Sequence, residues 1–256
     1  MNKNQEIKLE DIVEIALSAG EKIMSVYAGD HKIEYKGDKS PLTEADRLSN
    51  ETINSELNRL YPDIPVLSEE NKNAEYETRK KWNTLWIVDP LDGTKEYIKK
   101  NGEFTVNIAL VKAGNPVLGV VYAPAKKLLY YADKKGAYKI SDASKPEKLP
   151  TGKKEGNYVV VASRSHMNDE TKKIINNLER IHGKIDLIST GSSLKICLVA
   201  EGLADIYPRI APTMEWDTAA AHAIANAAGK KVLIYSTEKE LSYNKQDLLN
   251  PSFTVQ

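Results

Sequence analysis

The sequence predicts an α/β protein in which layers of helices alternate with layers of sheet. Three observations predict this class: two helical segments open the chain, a series of short β-rich segments follows, and strands alternate with helices towards the C-terminus. A polar stretch rich in Lys, Pro and Gly covers residues 141–157. We therefore predict an N-terminal α+β domain over residues 1–150 and a C-terminal α/β domain over residues 151–256.

Helical periodicity predicts the first two elements. The first helix is predicted over residues 7–27, where apolar residues recur at helical spacing, and Gly29 ends it. These apolar residues are Leu9, Ile12, Val13, Ala16, Ile23 and Met24. The second helix is predicted from near Thr43 to about Leu60, before the Pro-containing breaker at residues 61–65.

The middle of the chain predicts an antiparallel sheet, because short β-rich segments are separated by turns rich in Gly, Pro and Lys. These segments are 85–88, 105–111, 117–122, 128–132 and 137–140. Later strands are predicted at 158–162, 185–188, 204–207 and 232–235, with helices at 168–181, 192–200 and 217–228.

Composition limits the classes of partner. The 256 residues contain 36 Lys and Arg against 36 Asp and Glu, so no overall basic field is available to bind nucleic acid or an anionic membrane. No run approaches the eighteen apolar residues of a transmembrane segment. The N-terminus lacks the apolar core of a signal peptide, and the lone Cys197 cannot form an internal disulfide, so a cytoplasmic location is expected. Cys197 lies in an apolar run and is predicted to be a packing residue. The sequence leaves open whether the protein is a monomer or a homodimer, and whether it associates peripherally with the cytoplasmic face of an inner membrane.

The segment 85–97, LWIVDPLDGTKEY, contains the strongest candidate site. Asp89 ends an apolar run, so its carboxylate is expected at a strand end, and Pro90 stiffens a turn that brings Asp92 to the same side. Gly93 and Thr94 leave room for an anion at a helix start. Two carboxylates beside an anion imply a bridging cation. An acidic pair at this spacing is weak evidence alone, since about five are expected by chance, and Asp92 as a turn or capping residue is the alternative.

Three further acidic elements are ambiguous when taken singly. Glu69 and Glu70 follow a short apolar segment and also fit a solvated turn. Asp217 precedes an Ala-rich helical stretch and also fits an N-cap. Asp46, in the segment TEAD, fits a capping box as well as a catalytic role.

In combination, these elements resemble the inositol monophosphatase family, which has an acidic loop, a DPxDGT element and a C-terminal WD element in this order. The likeness covers residues 36–229. The segment DPLDGTKEY, together with GSSLK at 191–195, YPR at 207–209 and PTMEWD at 212–217, is similar to the CysQ-type 3'(2'),5'-bisphosphate nucleotidase branch. Tyr97 and Ala221 differ from the commoner Phe and Gly of relatives. The resemblance implies a sugar-phosphatase type of α/β layered sandwich.

The resemblance also implies roles for individual residues. One Mg²⁺ would be held by Glu69, Asp89 and the backbone carbonyl of Leu91, and Asp89 would bridge to a second Mg²⁺ held by Asp92 and Asp217, with two or three ions per site. Thr94 and Asp46 would orient and deprotonate the attacking water. The reacting phosphate would meet Gly93 and Thr94 beside the metal-holding residues Glu69, Leu91, Asp92 and Asp217.

The nucleotide pocket is implied by the same likeness. Ser163, His166, Gly191 and Lys195 would line the adenosine and the second phosphate. Surface roles for His166 and Lys195 are the alternatives, and Arg209 is a further candidate phosphate clamp. Lysine pairs at 126–127 and 134–135 are interpreted as solvated turn charges.

The predicted function is Mg²⁺-dependent, lithium-sensitive hydrolysis of adenosine 3',5'-bisphosphate to AMP and phosphate, with 3'-phosphoadenylyl sulfate as a further candidate substrate, in sulfur assimilation and nucleotide recycling. The alternative enzyme is a phosphatase for inositol or another sugar monophosphate. The alternative of another class is a non-catalytic, metal-dependent nucleotide sensor. The water-activating pair Thr94 and Asp46 argues against a sensor.

Overall fold

The computed structural model describes residues 6–29, 33–35, 41–142, 144–151, 156–162 and 168–256. Its helices are α1 (Leu9–Tyr27), α2 (Glu44–Leu60), α3 (Tyr76–Arg79), α4 (Thr94–Ile98), α5 (Asp169–His182), α6 (Leu194–Glu201) and α7 (Ala219–Ala227). Its first nine strands are β1 (Ile33–Tyr35), β2 (Pro41–Thr43), β3 (Val66–Ser68), β4 (Thr84–Asp92), β5 (Thr105–Lys112), β6 (Asn115–Ala123), β7 (Leu128–Asp133), β8 (Gly136–Ser141) and β9 (Glu147–Lys148). The others are β10 (Tyr158–Val161), β11 (Ile185–Ile188), β12 (Tyr207–Arg209), β13 (Thr213–Met214), β14 (Val232–Ile234), β15 (Leu249–Asn250) and β16 (Phe253–Val255).

A seven-stranded sheet forms the centre of the molecule, with the strand order β3-β4-β5-β6-β7-β8-β9. Its pairs are antiparallel except β3 with β4, which is parallel. Alternate residues of β4 pack on opposite faces, because side chains alternate along a strand. Trp86 and Val88 join a cluster with α1 and α2, whereas Leu85 and Ile87 join a cluster with α6 and α7. Both faces are therefore covered by helices.

A second set of strands lies beyond α6 and α7. Strands β12, β16 and β14 form one sheet, β10 and β11 form another, and a bridge between Val160 and Ile206 connects them. Val159 and Val161 pack towards the α6 and α7 cluster, whereas Val160 packs with Ile175 of α5. The layers are thus helix, sheet, helix, sheet and helix, which confirms the predicted α/β layered sandwich.

Small residues let α7 lie against the central sheet. Gly119 of β6 faces the backbone of α7, and a Cβ added there would lie 2.1 Å from the Ala220 carbonyl oxygen. The first three residues of α7, Ala219, Ala220 and Ala221, are buried. This close approach fixes the start of α7, and with it Asp217, relative to the sheet.

Most predicted elements are present within one or two residues. The strand predicted at 204–207 is displaced, because pairing with β16 begins at Tyr207 and Ile206 makes only a bridge to Val160. Helix α7 begins at Ala219, two residues after its predicted start at Asp217. The predicted domain division near residue 150 stays a prediction, and one hydrophobic cluster contains side chains from both sides of it. No helix in the described part of the chain has both the length and the apolar character needed to span a bilayer.

Candidate active site

A bulge in β4 places Asp89 and Asp92 on the same side of the sheet. Asp89 pairs with Asn107 and Asp92 pairs with Thr105, so β4 has one more residue than β5 between these pairs. In a regular strand, residues three apart point to opposite faces, and the extra residue reverses this relation. The Leu91 N–H donates to Asp89 Oδ1 at 3.0 Å, which closes the bulge.

Asp217 completes a cluster with these two aspartates. One carboxylate oxygen from each of Asp89, Asp92 and Asp217 lies within 4.8 Å of the others. Asp217 Oδ2 accepts the Met214 N–H at 2.8 Å, and the N-cap of α7 is Thr218. Its carboxylate is therefore directed to the cluster and does not cap the helix, contrary to the alternative role that the sequence left open for it.

The carboxylates repel one another in a site where Asp89 is buried and Asp92 and Asp217 are half-buried. Burial raises the pKa of Asp89 well above its ordinary value, and the negative charges of Glu69, Asp92 and Asp217 raise it further. Burial, with the charge of Asp92, raises the pKa of Asp217 to about 8. Burial also raises the pKa of Asp92, to about 6, against the opposing effect of Lys195. Such crowding of carboxylates is what a divalent cation relieves, and their oxygens are ligands that hard cations prefer. This carboxylate cluster can hold a metal ion.

Glu69 stands beside this cluster on the turn after β3. Its backbone N–H donates to the Val88 carbonyl at 3.2 Å, next to Asp89 in sequence. Its negative charge raises the pKa of all three aspartates. The Leu91 carbonyl accepts a hydrogen bond from the Thr94 hydroxyl at 3.4 Å. The metal-binding roles of Glu69 and Leu91 stay predictions.

Asp46 makes the hydrogen bonds of a helix-capping residue and also contacts Thr94, as its two alternative predicted roles require. Its Oδ2 accepts hydrogen bonds from the Thr43 N–H at 2.7 Å and the Thr43 hydroxyl at 2.6 Å, as in a capping box. Its Oδ1 accepts one from the Thr94 hydroxyl at 3.3 Å. Since Asp46 is buried, the capping contacts orient its second oxygen towards Thr94.

A cavity of about 300 Å³ adjoins the cluster, and its wall includes Asp92, Gly93, Gly191, Lys195, Tyr207, Arg209 and Asp217. Gly93 has a φ of 91°, and a Cβ there would lie 2.3 Å from Ser192 Oγ. Gly191 N–H donates to Glu103 Oε2 at 3.0 Å, and a Cβ at 191 would lie 2.6 Å from the Glu103 carbonyl oxygen. The absence of a side chain at both glycines therefore lets neighbouring segments of the cavity wall approach each other closely.

Two cations line the same cavity. Lys195 Nζ donates to the Ser192 carbonyl at 2.7 Å, and burial lowers its pKa although Asp92 opposes this. Arg209 Nη2 donates to the Pro212 carbonyl at 3.1 Å. The buried Arg209 Nε–H has no hydrogen-bond partner within the described part of the chain. The cavity thus joins a carboxylate cluster to two cationic side chains.

The remaining predicted residues divide into two groups. Ser163 and His166 lie outside the described residues. Cys197 is completely buried, and burial raises the pKa of its thiol, which confirms the prediction of a packing role.

Two residues that support Asp92 were missed. Ser193 N–H donates to Asp92 Oδ2 at 2.7 Å, and Asn107 Nδ2 donates to the same oxygen at 3.4 Å. Ser193 Oγ also donates to Asn107 Oδ1 at 2.9 Å. An Asn inside an otherwise apolar strand was the available signal for Asn107.

Comparisons with known proteins agree with this geometry. The family model described as "Inositol monophosphatase family" matches residues 5–255. The 3'(2'),5'-bisphosphate nucleotidase CysQ of Salmonella typhimurium is 48% identical over 96% of this chain and 98% of the relative. The protein of the same name from Escherichia coli K12 is 45% identical at the same coverage.

Solved structures give the same result. The crystal structure of CysQ from Bacteroides thetaiotaomicron, described as a bacterial member of the inositol monophosphatase family, has a TM-score of 0.88 and 53% identity, covering 97% of this chain and 96% of that one. The Thermotoga maritima IMPase TM1415 has a TM-score of 0.73 and 25% identity, covering 96% and 91% of the two chains. The predicted likeness to the bisphosphate nucleotidase branch is confirmed, and the chain belongs to the inositol monophosphatase family.

Proposed function

We propose that this protein is a Mg²⁺-dependent 3'(2'),5'-bisphosphate nucleotidase that hydrolyses adenosine 3',5'-bisphosphate to AMP and phosphate. One observation carries the proposal: a single cavity is lined both by Asp92 and Asp217 of the carboxylate cluster and by the cations Lys195 and Arg209. The first part can act on one phosphate through a metal, and the second can bind another phosphate. The names of the curated relatives from Salmonella typhimurium and Escherichia coli K12 support the same activity.

The residues present fit magnesium. Asp89, Asp92 and Asp217 supply hard oxygen ligands that repel one another when ionised. We propose two or three Mg²⁺ ions, one held by Glu69, Asp89 and the Leu91 carbonyl, and another by Asp89, Asp92 and Asp217. When bound, Mg²⁺ would neutralise these carboxylates and stabilise the negative charge that develops on the phosphate and the departing oxygen.

The chain supplies the proton transfer. Thr94 Oγ accepts a proton from the attacking water as its own hydroxyl proton passes to Asp46 Oδ1, the oxygen it already contacts. Asp46 Oδ2 is held by two bonds from Thr43, so the carboxylate cannot rotate freely. The water oxygen forms the new bond to phosphorus, the bond from phosphorus to the 3'-oxygen breaks, and that oxygen takes a proton from solvent.

The cations select the substrate. Lys195 and Arg209 line the cavity and attract a second anionic group. An inositol or simple sugar monophosphate has no such group, so this pair favours the bisphosphate. 3'-Phosphoadenylyl sulfate stays a further candidate substrate, and the candidate nucleotide contacts are Ser163, His166 and Gly191. The predicted location is the cytoplasm.

A substrate comparison tests the proposal. Phosphate release is measured with Mg²⁺ from adenosine 3',5'-bisphosphate, inositol 1-phosphate and fructose 1,6-bisphosphate. We expect the highest kcat/KM for the adenosine compound and no release when EDTA replaces Mg²⁺. Preference for inositol 1-phosphate would favour the alternative phosphatase, and nucleotide binding without release would favour the sensor.

A further inference from the structure

A closed ring of three asparagine amides ties the turn that carries Glu69 to helix α2. Asn50 Nδ2 donates to Asn71 Oδ1 at 2.9 Å, and Asn71 Nδ2 donates to Asn54 Oδ1 at 2.9 Å. Asn54 Nδ2 donates to Asn50 Oδ1 at 2.7 Å and closes the ring. Each amide donates to one member and accepts from the other, so the loss of any one opens the ring.

The ring holds both ends of the turn. Ser68, immediately before Glu69, is buried, and its hydroxyl donates to Asn50 Oδ1 at 2.9 Å. Its backbone is held from the other side, because Ser68 N–H donates to Asn73 Oδ1 at 3.2 Å and Asn73 Nδ2 donates to the Ser68 carbonyl at 2.9 Å. Asn71, which follows the two glutamates, is a ring member. Glu69 therefore lies between two points that are attached to α2.

The same helix holds the bulge of β4. Ser49 Oγ donates to the Pro90 carbonyl at 2.7 Å, and Asp46 accepts from Thr94 one turn earlier. Positions 49, 50 and 54 of α2 lie three, four and eight residues after position 46, so all four share one side of the helix. Helix α2 is a common support for the Glu69 turn and the Asp89 bulge.

Parallel pairing brings these two supported segments together. Ser68 lies opposite Val88 in the register of β3 and β4, so Glu69, just after β3, comes beside Asp89 of β4. The pairing ends there, because the next contact is the single bond from Glu69 N–H to the Val88 carbonyl. Beyond that bond, the turn is closed on itself by the Asn71 N–H, which donates to the Ser68 carbonyl at 3.3 Å, and by the Asn73 amide, whereas the asparagine ring attaches it to α2.

We propose that Asn50, Asn54 and Asn71 are positioning residues that hold Glu69 where it and Asp89 can bind the same divalent cation. The proposal rests on the metal-dependent function above, and these amides act through Glu69 without touching substrate. Groups that hold a metal ligand in place commonly change metal affinity by 10–100-fold when removed. Opening the ring should therefore weaken Mg²⁺ binding more than it changes the chemistry at saturating Mg²⁺.

The test uses Asn71→Ala, Asn54→Ala and the double variant, with Thr52→Ala as the matched control. Thr52 lies on α2 between two ring positions, and its hydroxyl donates to the Leu48 carbonyl of the same helix. Calorimetry measures the Mg²⁺ dissociation constant of each nucleotide-free protein, and thermal unfolding in EDTA measures its stability. Steady-state assays measure kcat and nucleotide KM at saturating Mg²⁺.

We expect each single variant to raise the Mg²⁺ dissociation constant on the order of tenfold, with kcat at saturating Mg²⁺ and nucleotide KM close to the wild-type values. The double variant should be little worse than either single variant, because one loss already opens the ring. Thr52→Ala should bind Mg²⁺ as the wild type does.

Unchanged Mg²⁺ affinity in both single variants overturns the proposal, even if the melting temperature in EDTA falls, since the ring would then serve packing alone. Equal loss in Thr52→Ala, or full additivity in the double variant, also overturns it. The calorimetric titration does not depend on turnover. A wild type that binds Mg²⁺ but releases no phosphate would contradict the proposed function, whereas a tenfold affinity loss in the ring variants would still support the positioning role.

Discussion

Replacing Asp217 by Asn tests whether burial and the neighbouring carboxylates disfavour the charge of Asp217 when no metal is bound. The substitution removes the charge but retains the side-chain oxygen that accepts the Met214 N–H. The pKa of Asp217 is raised from its ordinary value of 3.8 to about 8. At pH 7, ionisation of Asp217 lowers the free energy of the unfolded chain but does not lower that of the folded protein. This difference destabilises the metal-free wild type by at most roughly 4 kcal/mol.

The expected gain for Asp217→Asn is smaller than this limit. Asp217 is partly exposed, so solvent screens part of the effect, and we expect a gain of about 2 kcal/mol. For a chain of this size, that corresponds to an increase of roughly 4–8 °C in Tm. The sign depends on pH because the folded pKa is the higher one: the wild type loses stability as pH rises from about 4 to about 8, and the variant lacks this loss.

Thermal unfolding in EDTA at pH 5 and pH 8 is the assay. The advantage of the variant should be small at pH 5 and largest near pH 8, and Mg²⁺ should reverse the order by stabilising the wild type more. Asp247→Asn is the control, since exposed Asp247 also accepts a backbone N–H, from Leu249 at 2.9 Å. A variant that is less stable than the wild type in EDTA at pH 8 would refute the claim that burial and the neighbouring carboxylates make the charge of Asp217 unfavourable.

Three other substitutions or conditions give distinct outcomes. Lys195→Ala should raise KM for adenosine 3',5'-bisphosphate, with a loss on the order of 1–3 kcal/mol in the free energy that corresponds to kcat/KM. It should affect adenosine 3'-monophosphate much less. An equal effect on both substrates in steady-state assays would remove Lys195 from the second-phosphate site. LiCl should inhibit phosphate release, and matched KCl should not, because Li⁺ is similar in size to Mg²⁺ but has half its charge. The inhibition should be uncompetitive or noncompetitive towards the nucleotide, and relief by excess nucleotide would contradict this. Gly119→Ala should lower stability by at least about 2 kcal/mol, because its Cβ would lie 2.1 Å from the Ala220 carbonyl oxygen. Gly29→Ala should change little in the same unfolding assay, because its nearest contact is at 3.6 Å.

The elements that sequence predicted well are those with a strong local pattern. Helix α1 buries Ile12, Ala16 and Ile23 at helical spacing, and the β-rich runs from β4 to β8 have turn residues between them. Strands β3 and β16 have three residues each and depend on pairing with distant partners. Neither was predicted, because tertiary pairing decides these two short segments more than local periodicity does.

The same distinction applies to the site. The aspartates were predictable because each lies in a recognisable segment. Asp46 can both cap α2 and contact Thr94, because each contact uses a different carboxylate oxygen. The bulge that turns Asp92 towards Asp89 is visible only in the pairing with β5. The asparagine ring was not predictable, because Asn71 meets Asn50 and Asn54 only after β3 joins the sheet.

The most direct test of the central claim is the turnover of Asp89→Asn with adenosine 3',5'-bisphosphate across a Mg²⁺ titration. Asp89 is buried among Glu69, Asp92 and Asp217, so the loss of its charge should weaken every metal position it joins. Phosphate release by the wild type should depend on Mg²⁺, and the variant should lose several orders of magnitude in kcat at every Mg²⁺ concentration, consistent with several kcal/mol of charge stabilisation. Near-normal turnover of Asp89→Asn at saturating Mg²⁺ would contradict the assignment of this cluster as the catalytic metal site.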